Sequence, residues 1–263
     1  MKSYRYVALD PTGNLTCLVL DPADPADEAA LTKKLLAQCE QVAYLMPPGR
    51  PEAVAGIRLM GGEFCGNAAM AAAAWLVRNE LAQGESKTLL LEVSGTETPV
   101  VCTIRRMAEA FEGSVEMPGT PEIGEESFCG IPCTVVRLDG IVHLVCESRR
   151  FETEEAETLL RKAAEQLPDE AVGLLQWNRQ DGNMQPLVFV RESGSLVWEH
   201  GCGSGSAAVG ALEALRSGPG ETATAVRQPG GTITATASTE NGAVMAVTIT
   251  GQVRIGTEGI IQI

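Results

Sequence analysis

Two cysteines lie in the same kind of local sequence, where a strand pattern gives way to a run of small residues. The first stands in Cys-Gly-Asn at 65–67 and the second in Cys-Gly-Ser at 202–204, and each triplet precedes a segment of high helix propensity. Helix N-termini carry outward-facing N–H groups and about half a positive charge, which favours a bound anion and lowers the pKa of a neighbouring thiol. The sequence therefore predicts two anion cradles, each with a thiol beside it.

A matched pair of such thiols predicts stereoinversion at a carbon that carries a carboxylate. One thiolate removes the α-proton from one face, and the other thiol returns a proton to the opposite face. The helix-end N–H groups then stabilise the developing enediolate. The sequence has neither a P-loop nor a dinucleotide-binding fingerprint, so we expect no cofactor. Two buried cysteines in tight strand–helix turns are the purely structural alternative.

The elements around the two motifs occur in the same order in each half of the chain. Helical patterns cover 27–41 and 68–81 in the first half and 154–166 and 206–216 in the second, with short strands around them. Turn sequences at 94–95 and 229–231 also fall at comparable positions. This internal repeat predicts a duplicated αβ unit with one motif cysteine per copy.

Composition and charge limit the function classes. The 263 residues suffice for one large or two moderate domains, and the 44% apolar content is that of a globular protein. A net charge of −14 argues against nucleic-acid binding, and no apolar run reaches the length of a membrane helix. The eight cysteines include no CxxC pair, so we expect thiols in a cytoplasmic protein and no metal site.

Both cysteine motifs resemble the two active-site motifs of the diaminopimelate epimerase-like superfamily. The first match is Glu-Phe-Cys-Gly-Asn-Ala at 63–68, and the second is Trp-Glu-His-Gly-Cys-Gly-Ser-Gly at 198–205. Shorter matches run along nearly the whole chain, at 11–14, 39–42, 142–143, 185–187, 228–231 and 251–253. Within the superfamily, the chain is most similar to the cofactor-independent histidine racemases that begin staphylopine-type metallophore synthesis.

The resemblance implies an α/β (α+β) fold of two pseudo-symmetric diaminopimelate epimerase-like domains, each a β-barrel-like sheet around a central helix. The first domain would comprise 1–117 with 252–263, because the terminal strand returns to it, and the second would comprise 118–251. The active site is expected in the cleft between them. A small amino-acid substrate is the expected partner, and a homodimer is an open alternative.

The resemblance also implies roles for individual residues. Cys65 and Cys202 would be the catalytic bases, and Glu199 would hold the substrate ammonium group. Asn14 would line the pocket, and His143 falls where the family often has a histidine near one cysteine. The α-carboxylate would be bound by backbone N–H groups, those of Gly66, Asn67, Gly203 and Ser204.

The chain departs from the diaminopimelate epimerases after the Trp-Glu pair at 198–199. Those enzymes have an arginine there that would hold a distal carboxylate, whereas this chain has His200. The missing arginine disfavours a second carboxylate on the substrate and favours free histidine. Glu40 is a candidate partner for the imidazole, and its position fits an exposed helix end equally well.

Several alternatives stay open at this point. Another amino acid, diaminopimelate included, would suit the same two-thiol chemistry. A phenazine-biosynthesis-type isomerase shares the implied fold, although that branch generally has an acidic residue in place of the cysteine bases. A thiol-rich binding protein would leave α-protons untouched. His200 could also form a Cys–His nucleophilic pair with Cys202.

Overall fold

The computed structural model describes residues 1–147, 149–191 and 194–263, and these form sixteen strands and four helices. They divide into two compact units. Unit 1 comprises Met1–Glu116 with Thr250–Ile263, and unit 2 comprises Met117–Ile249. The predicted mixed α/β class is confirmed.

The sheet of unit 1 is closed into a ring. Its members are β1 (Ser3–Pro11), β2 (Thr16–Val19), β3 (Gln41–Met46), β4 (Ala55–Leu59), β5 (Ser86–Val93), β6 (Val100–Arg106), β7 (Phe111–Glu116) and the C-terminal part of β16 (Ala243–Gln262). They are hydrogen-bonded in this order, and β16 also pairs antiparallel with β1, which closes the ring.

Unit 1 has two helices, of which the second lies at the centre of the ring. The helices are α1 (Pro25–Leu35) and α2 (Gly66–Val77). Helix α2 contacts six strands of the ring, and every residue from Gly66 to Trp75 is buried. Its alanine-rich sequence suits this place, because small side chains on all faces let the strands approach closely. Helix α1 packs on the sheet through Leu31 and Leu35.

Unit 2 contains a second run of strands. They are β8 (Glu122–Phe128), β9 (Ile131–Leu138), β10 (Ile141–Cys146), β11 (Ala171–Asn178), β12 (Asn183–Val190), β13 (Ser195–Trp198), β14 (Gly220–Gln228), β15 (Gly231–Glu240) and the first part of β16. Their order is β8-β9-β10-β11-β12-β14-β15-β16, and β13 pairs with β12.

The two helices of unit 2 repeat the arrangement of α1 and α2. Helix α3 (Thr153–Gln166) packs on β8, β11 and β12, and helix α4 (Gly203–Ser217) contacts β9, β10, β11, β14 and β15. Small residues again line the central helix. A Cβ at Gly210 of α4 would lie 2.4 Å from the Cβ of Ala235 in β15, so helix and strand are in the closest contact that side chains allow.

The predicted internal repeat is confirmed by the strand pairings. In unit 1 the successive pairs from β1–β2 to β5–β6 are antiparallel, parallel, antiparallel, parallel and antiparallel. In unit 2 the pairs from β9–β10 through β12–β14 to β14–β15 have the same alternation. One helix follows the second strand of each series, and the cysteine-bearing helix follows the fourth.

Helix boundaries differ from the predictions at several ends. Helix α1 begins at Pro25, before the predicted start at 27, and helix α2 ends at Val77, before the predicted end at 81. Helix α1 was expected over 27–41 but ends at Leu35, because the chain turns and the Glu40 N–H donates to the Leu15 carbonyl 2.8 Å away. Helices α2 and α4 begin at Gly66 and Gly203, before the predicted starts at 68 and 206, since each cysteine caps its helix directly. No helix among the described residues is both long and apolar enough to cross a membrane.

The contact at Gly210 yields a stability prediction. Gly210→Ala should lower the free energy of unfolding by about 1–3 kcal/mol, because the added methyl group overlaps Ala235 and must displace helix or strand. Urea denaturation measures the change. Gly124→Ala is the matched control, since Gly124 lies in exposed β8 with nothing within 4 Å of its would-be Cβ. Equal stability of the two variants would contradict the close packing of α4.

Candidate active site

In unit 1, Cys65 occupies the N-cap position of α2. Its backbone is extended (φ −139°, ψ 111°), and its sulfur accepts a hydrogen bond from the Ala68 N–H at 3.5 Å. A serine or aspartate usually accepts this N–H; here a thiol does so at the positive end of the helix. Cys65 is half-buried, and no acidic residue lies in the first helical turn. The two predicted carboxylate-binding residues, Gly66 and Asn67, form that turn and are buried.

The loop that precedes Cys65 is held in place by the turn after β5. The Ser94 hydroxyl accepts from the Leu59 N–H at 2.9 Å and donates to the Glu63 carbonyl at 2.8 Å. Next to it, Gly95 has a φ of +77°, and a Cβ there would lie 2.4 Å from the Phe64 nitrogen. In the sequence, this turn was recognisable only by its comparable position in the two repeats. Its structural role is to hold the loop two residues before the cysteine.

In unit 2, Cys202 occupies the same position at the start of α4. Its sulfur accepts the Gly205 N–H at 3.3 Å and lies 3.6 Å from the Ser204 hydroxyl. Gly203, with Ser204, forms the first turn, which again lacks acidic residues. A Cβ at Gly205 would lie 3.1 Å from the Cys202 sulfur, so glycine keeps the space beside the thiol open. Cys202 is only 3% exposed, in contrast to Cys65.

The predicted lowering of the thiol pKa is wrong for Cys202. Burial raises the pKa of the Cys202 thiol well above its usual range, and the neighbouring Glu199 carboxylate raises it further through its charge and a hydrogen bond. The Ser204 hydroxyl and the Gly205 N–H act in the opposite direction and do not offset these effects. Cys202 is therefore a protonated thiol at neutral pH. Glu199, predicted to bind the substrate ammonium, contacts this thiol directly.

His143 lies on strand β10 and contacts Ser204. Its Nε2 is 3.0 Å from the Ser204 hydroxyl, which in turn lies 3.6 Å from the Cys202 sulfur. The imidazole has no exposed surface, and its Nδ1 has no hydrogen-bond partner among the described residues. Burial lowers the pKa of His143 to about 3, and the ring is neutral. Gly173 in β11 makes room for it, since a Cβ there would lie 2.2 Å from Nδ1.

Asn14 and Glu40 are brought together in unit 1. The Asn14 amide donates to a Glu40 carboxylate oxygen at 3.1 Å. Gln41, which the sequence analysis did not select, donates to the Asn14 amide oxygen at 2.6 Å and to the Thr16 hydroxyl at 2.8 Å. Glu40 is half-buried and lies beyond the end of α1 at Leu35, so it is not an exposed residue of that helix. Gln41 itself lies in the 39–42 motif, directly after Glu40, and that motif was the available signal for it.

The other thiols occupy different surroundings. The sulfurs of Cys133 and Cys146 are 2.6 Å apart on β9 and β10, and Cys17 shares a hydrogen bond with Cys39. Burial raises the pKa of Cys102 to about 12. Four of these five cysteines lie within strands, unlike the two helix caps. The described residues contain no group of three or more His, Cys, Asp or Glu placed to hold a metal ion.

Solved structures show the fold. The phenazine biosynthesis protein of the PhzF family from Bacillus anthracis is similar over 100% of both chains, with a TM-score of 0.75 and 14% identity. The hydroxyproline epimerase from Agrobacterium vitis, solved with bound trans-4-hydroxy-L-proline, has a TM-score of 0.70 and 14% identity, over 98% of this chain and 92% of its own. The fold is therefore the one shared by PhzF proteins and proline racemase-like epimerases.

Sequence comparison then identifies the family. The model described as "Histidine racemase CntK N-terminal domain" matches residues 3–262, and the chain belongs to that family. A histidine racemase from Staphylococcus aureus (strain Mu50 / ATCC 700699) is 28% identical over 242 residues, which are 86% of each chain. The resemblance inferred from the cysteine motifs is confirmed. The chain is an isomerase of the amino-acid racemase class and acts on a small-molecule substrate.

The buried imidazole yields a pH prediction. His143 is neutral in the folded chain down to about pH 3, whereas in the unfolded chain it takes up a proton near pH 6.5. Its contribution to stability is therefore complete above pH 6.5 and is lost as the pH falls toward 3, by about 1.4 kcal/mol per pH unit.

His143→Gln removes this titration. Urea unfolding of both proteins at pH 7 and pH 5 should show the wild-type chain losing about 2 kcal/mol more than the variant. His200 is the only other histidine, and His200→Gln is the control that should follow the wild-type chain because His200 is exposed. A stability difference between wild type and His143→Gln that does not change with pH would show that His143 is not buried in neutral form.

Proposed function

We propose that the chain interconverts L- and D-histidine, with Cys65 and Cys202 as the two proton-transfer groups and without pyridoxal phosphate or a metal ion. The observation that carries this proposal is the matched pair of caps. In each repeat, one cysteine sulfur accepts an N–H of the first turn of the central helix. A thiol that caps a helix lies beside backbone donors for an anion, and among the described helices this arrangement occurs once in each unit.

The helix starts supply the carboxylate-binding groups in this proposal. The first turns of α2 and α4 contain Gly66, Asn67, Gly203 and Ser204, and neither turn has an acidic side chain. A bound α-carboxylate gains charge as the α-proton leaves. N–H donors that are already oriented stabilise that enediolate without reorganising.

The two thiols differ in burial, since Cys65 is half-buried and Cys202 is buried. Cys202 is a thiol at neutral pH, so it is the proton donor when Cys65 acts as the base. For the reverse direction Cys202 must become the thiolate, which burial and Glu199 oppose. We propose that the substrate ammonium group lies against Glu199 and neutralises its charge. Substrate binding then lowers the pKa of Cys202 and prepares it for catalysis.

The proposed partner of the histidine side chain is Glu40. Its carboxylate is half-buried and receives a hydrogen bond from Asn14, which Gln41 fixes from the other side. A carboxylate held in one orientation binds an imidazole N–H, or an imidazolium, better than it binds an apolar or anionic side chain. The S. aureus relative carries the name histidine racemase, which supports the same substrate.

The cellular setting stays a proposal drawn from the resemblance. It comprises a cytoplasmic location, a place at the start of metallophore synthesis, and a homodimer. Deletion of the coding sequence, followed by measurement of D-histidine in cell extracts, tests the first step of that pathway.

Replacement of either motif cysteine should stop turnover. Cys65→Ala and Cys202→Ala are each expected to lower the rate of histidine racemisation by a factor on the order of 10²–10⁴, because one thiol must take the proton while the other gives it. Chiral chromatography measures the rate. Cys129→Ser is the control and should keep full activity, since Cys129 is an exposed cysteine outside the two helix caps. Substantial racemisation by either alanine variant would remove the two-thiol mechanism.

The substrate is tested with the twenty amino acids and diaminopimelate. Histidine should racemise fastest, and Glu40→Gln should raise the KM for histidine about tenfold, because a neutral amide replaces the carboxylate that faces the imidazole. Asp139→Asn, the control, removes an exposed carboxylate of unit 2 and should leave the KM unchanged. Faster turnover of diaminopimelate, or of an amino acid unrelated to histidine, would reject the substrate while the mechanism stands.

A further inference from the structure

We infer that Gln228 is a positioning residue for the Cys202 thiol, an inference that rests on the proposed two-thiol racemase. Gln228 is the last residue of β14, and its side chain binds the backbone on both sides of the cysteine. It contributes no proton to the reaction. Its role is to fix the direction in which the sulfur and the first turn of α4 face the substrate.

The side-chain amide of Gln228 uses both of its ends. Its oxygen accepts the Cys202 N–H at 2.6 Å. Its nitrogen donates to the Ser206 hydroxyl at 2.8 Å and lies 3.5 Å from the Cys202 carbonyl oxygen. Ser206 in turn donates to that carbonyl oxygen at 2.7 Å. Gln228, Ser206 and Cys202 are all buried, so water does not replace these bonds if one is lost.

The contacts of Gln228 with Cys202 and Ser206 require a side chain that carries a donor and an acceptor on one planar group. The amide orientation follows from the partners, since a backbone N–H requires the oxygen and an accepting hydroxyl requires the nitrogen. These hydrogen bonds hold the Cys202 backbone in an extended conformation (φ −100°, ψ 108°) at the point where α4 begins. A displacement of about 1 Å at a proton-transfer group costs on the order of a hundredfold in rate, so this orientation matters for catalysis.

The contacts around Gln228 support its role in positioning Cys202. In the same turn after β14, the Gly230 N–H donates to the His200 carbonyl at 2.7 Å, which holds the chain two residues before Cys202. The corresponding turn of unit 1 carries Ser94, whose hydroxyl donates to the Glu63 carbonyl in the Cys65 loop. Gln228 hydrogen-bonds directly to the backbone of Cys202, the proposed catalytic residue.

A positioning role at Cys202 predicts a one-sided defect. In D₂O, each enantiomer exchanges its α-proton through the thiol that removes it. When Cys202 is misplaced, the enantiomer deprotonated by Cys65 still exchanges with retention of configuration, whereas the other enantiomer does not. A general loss of folding lowers both exchange rates together, so the ratio of the two rates separates positioning from stability.

The experiment compares Gln228→Met with Gln176→Met. Methionine has the length of glutamine without its donor or its carbonyl acceptor. Gln176 is also a buried glutamine of unit 2, and its oxygen accepts the Phe151 N–H at 2.7 Å. It therefore controls for the loss of a buried amide bond elsewhere. α-Deuterium incorporation into L- and D-histidine is followed by NMR, together with racemisation and the melting temperature.

Gln228→Met should lower racemisation by about 10–100-fold. It should slow exchange of the same enantiomer that Cys202→Ala slows, and leave exchange of the other within about threefold. Gln176→Met should lower the melting temperature and keep the wild-type ratio of the two exchange rates. If Gln228→Met does not fold, Gln228→Asn, which keeps the amide but is one methylene shorter, gives the same comparison.

Equal exchange losses for both enantiomers, or wild-type rates in Gln228→Met, would overturn the positioning role. These outcomes differ from failure of the proposed function itself. In that case the wild-type chain would racemise no histidine and exchange no α-proton, whatever stands at 228.

Discussion

The N–H groups at the start of α2 and α4 have no acceptors further back in their own helices, and in each unit a cysteine sulfur accepts one of them. This capping contact places a thiol at the positive end of a helix that lies at the centre of its sheet. The rest of the architecture follows from it. The helix must be made of small residues for the strands to surround it, and the turns after β5 and β14 must hold the capping loop in place.

The two copies of this contact are not equivalent. Cys65 is half-buried, whereas Cys202 is almost fully buried beside Glu199 and stays protonated. A racemase must run in both directions from one resting state, so an acid on one side and a more accessible sulfur on the other give it a defined starting point. In the proposed mechanism the substrate ammonium group helps to reverse the roles, because it neutralises the Glu199 charge, which adds to the effect of burial on the pKa of Cys202.

Local sequence predicted much of the fold and the centre of the site. The Cys-Gly motifs, the alanine-rich segment after Cys65 and the order of elements indicated two repeats with a capped helix in each, and the structure agrees. The start of each helix was placed two or three residues late, because a cysteine cap is not among the usual N-cap signals. The end of α1 was missed because a backbone bond to Leu15 withdraws Glu40 from the helix.

What the sequence did not reveal depends on contacts between distant segments. Three side chains each hold a site residue or its loop through hydrogen bonds that no local sequence pattern indicates: Gln41, Ser94 and Gln228. Gly173 matters only because the His143 ring lies against it. The pKa of Cys202 was predicted in the wrong direction for the same reason, since burial and Glu199 outweigh the helix end and neither can be inferred from the triplet at 202–204.

The central claim is that two different thiols handle the α-proton, and the position of solvent deuterium at early times tests it most directly. L-Histidine is incubated with the wild-type chain in D₂O, and the α-deuterium content of both enantiomers is followed at low conversion. The account predicts that the D-histidine formed is fully deuterated, because the thiol that donates its α-hydrogen carries solvent deuterium. The recovered L-histidine should carry less deuterium, because a removed proton can return from its own thiol before it exchanges with solvent, and D-histidine should give the mirror-image result. Substantial α-protium in the D-histidine formed at early times would show that one group carries the same proton from one face to the other, and would contradict the two-thiol account.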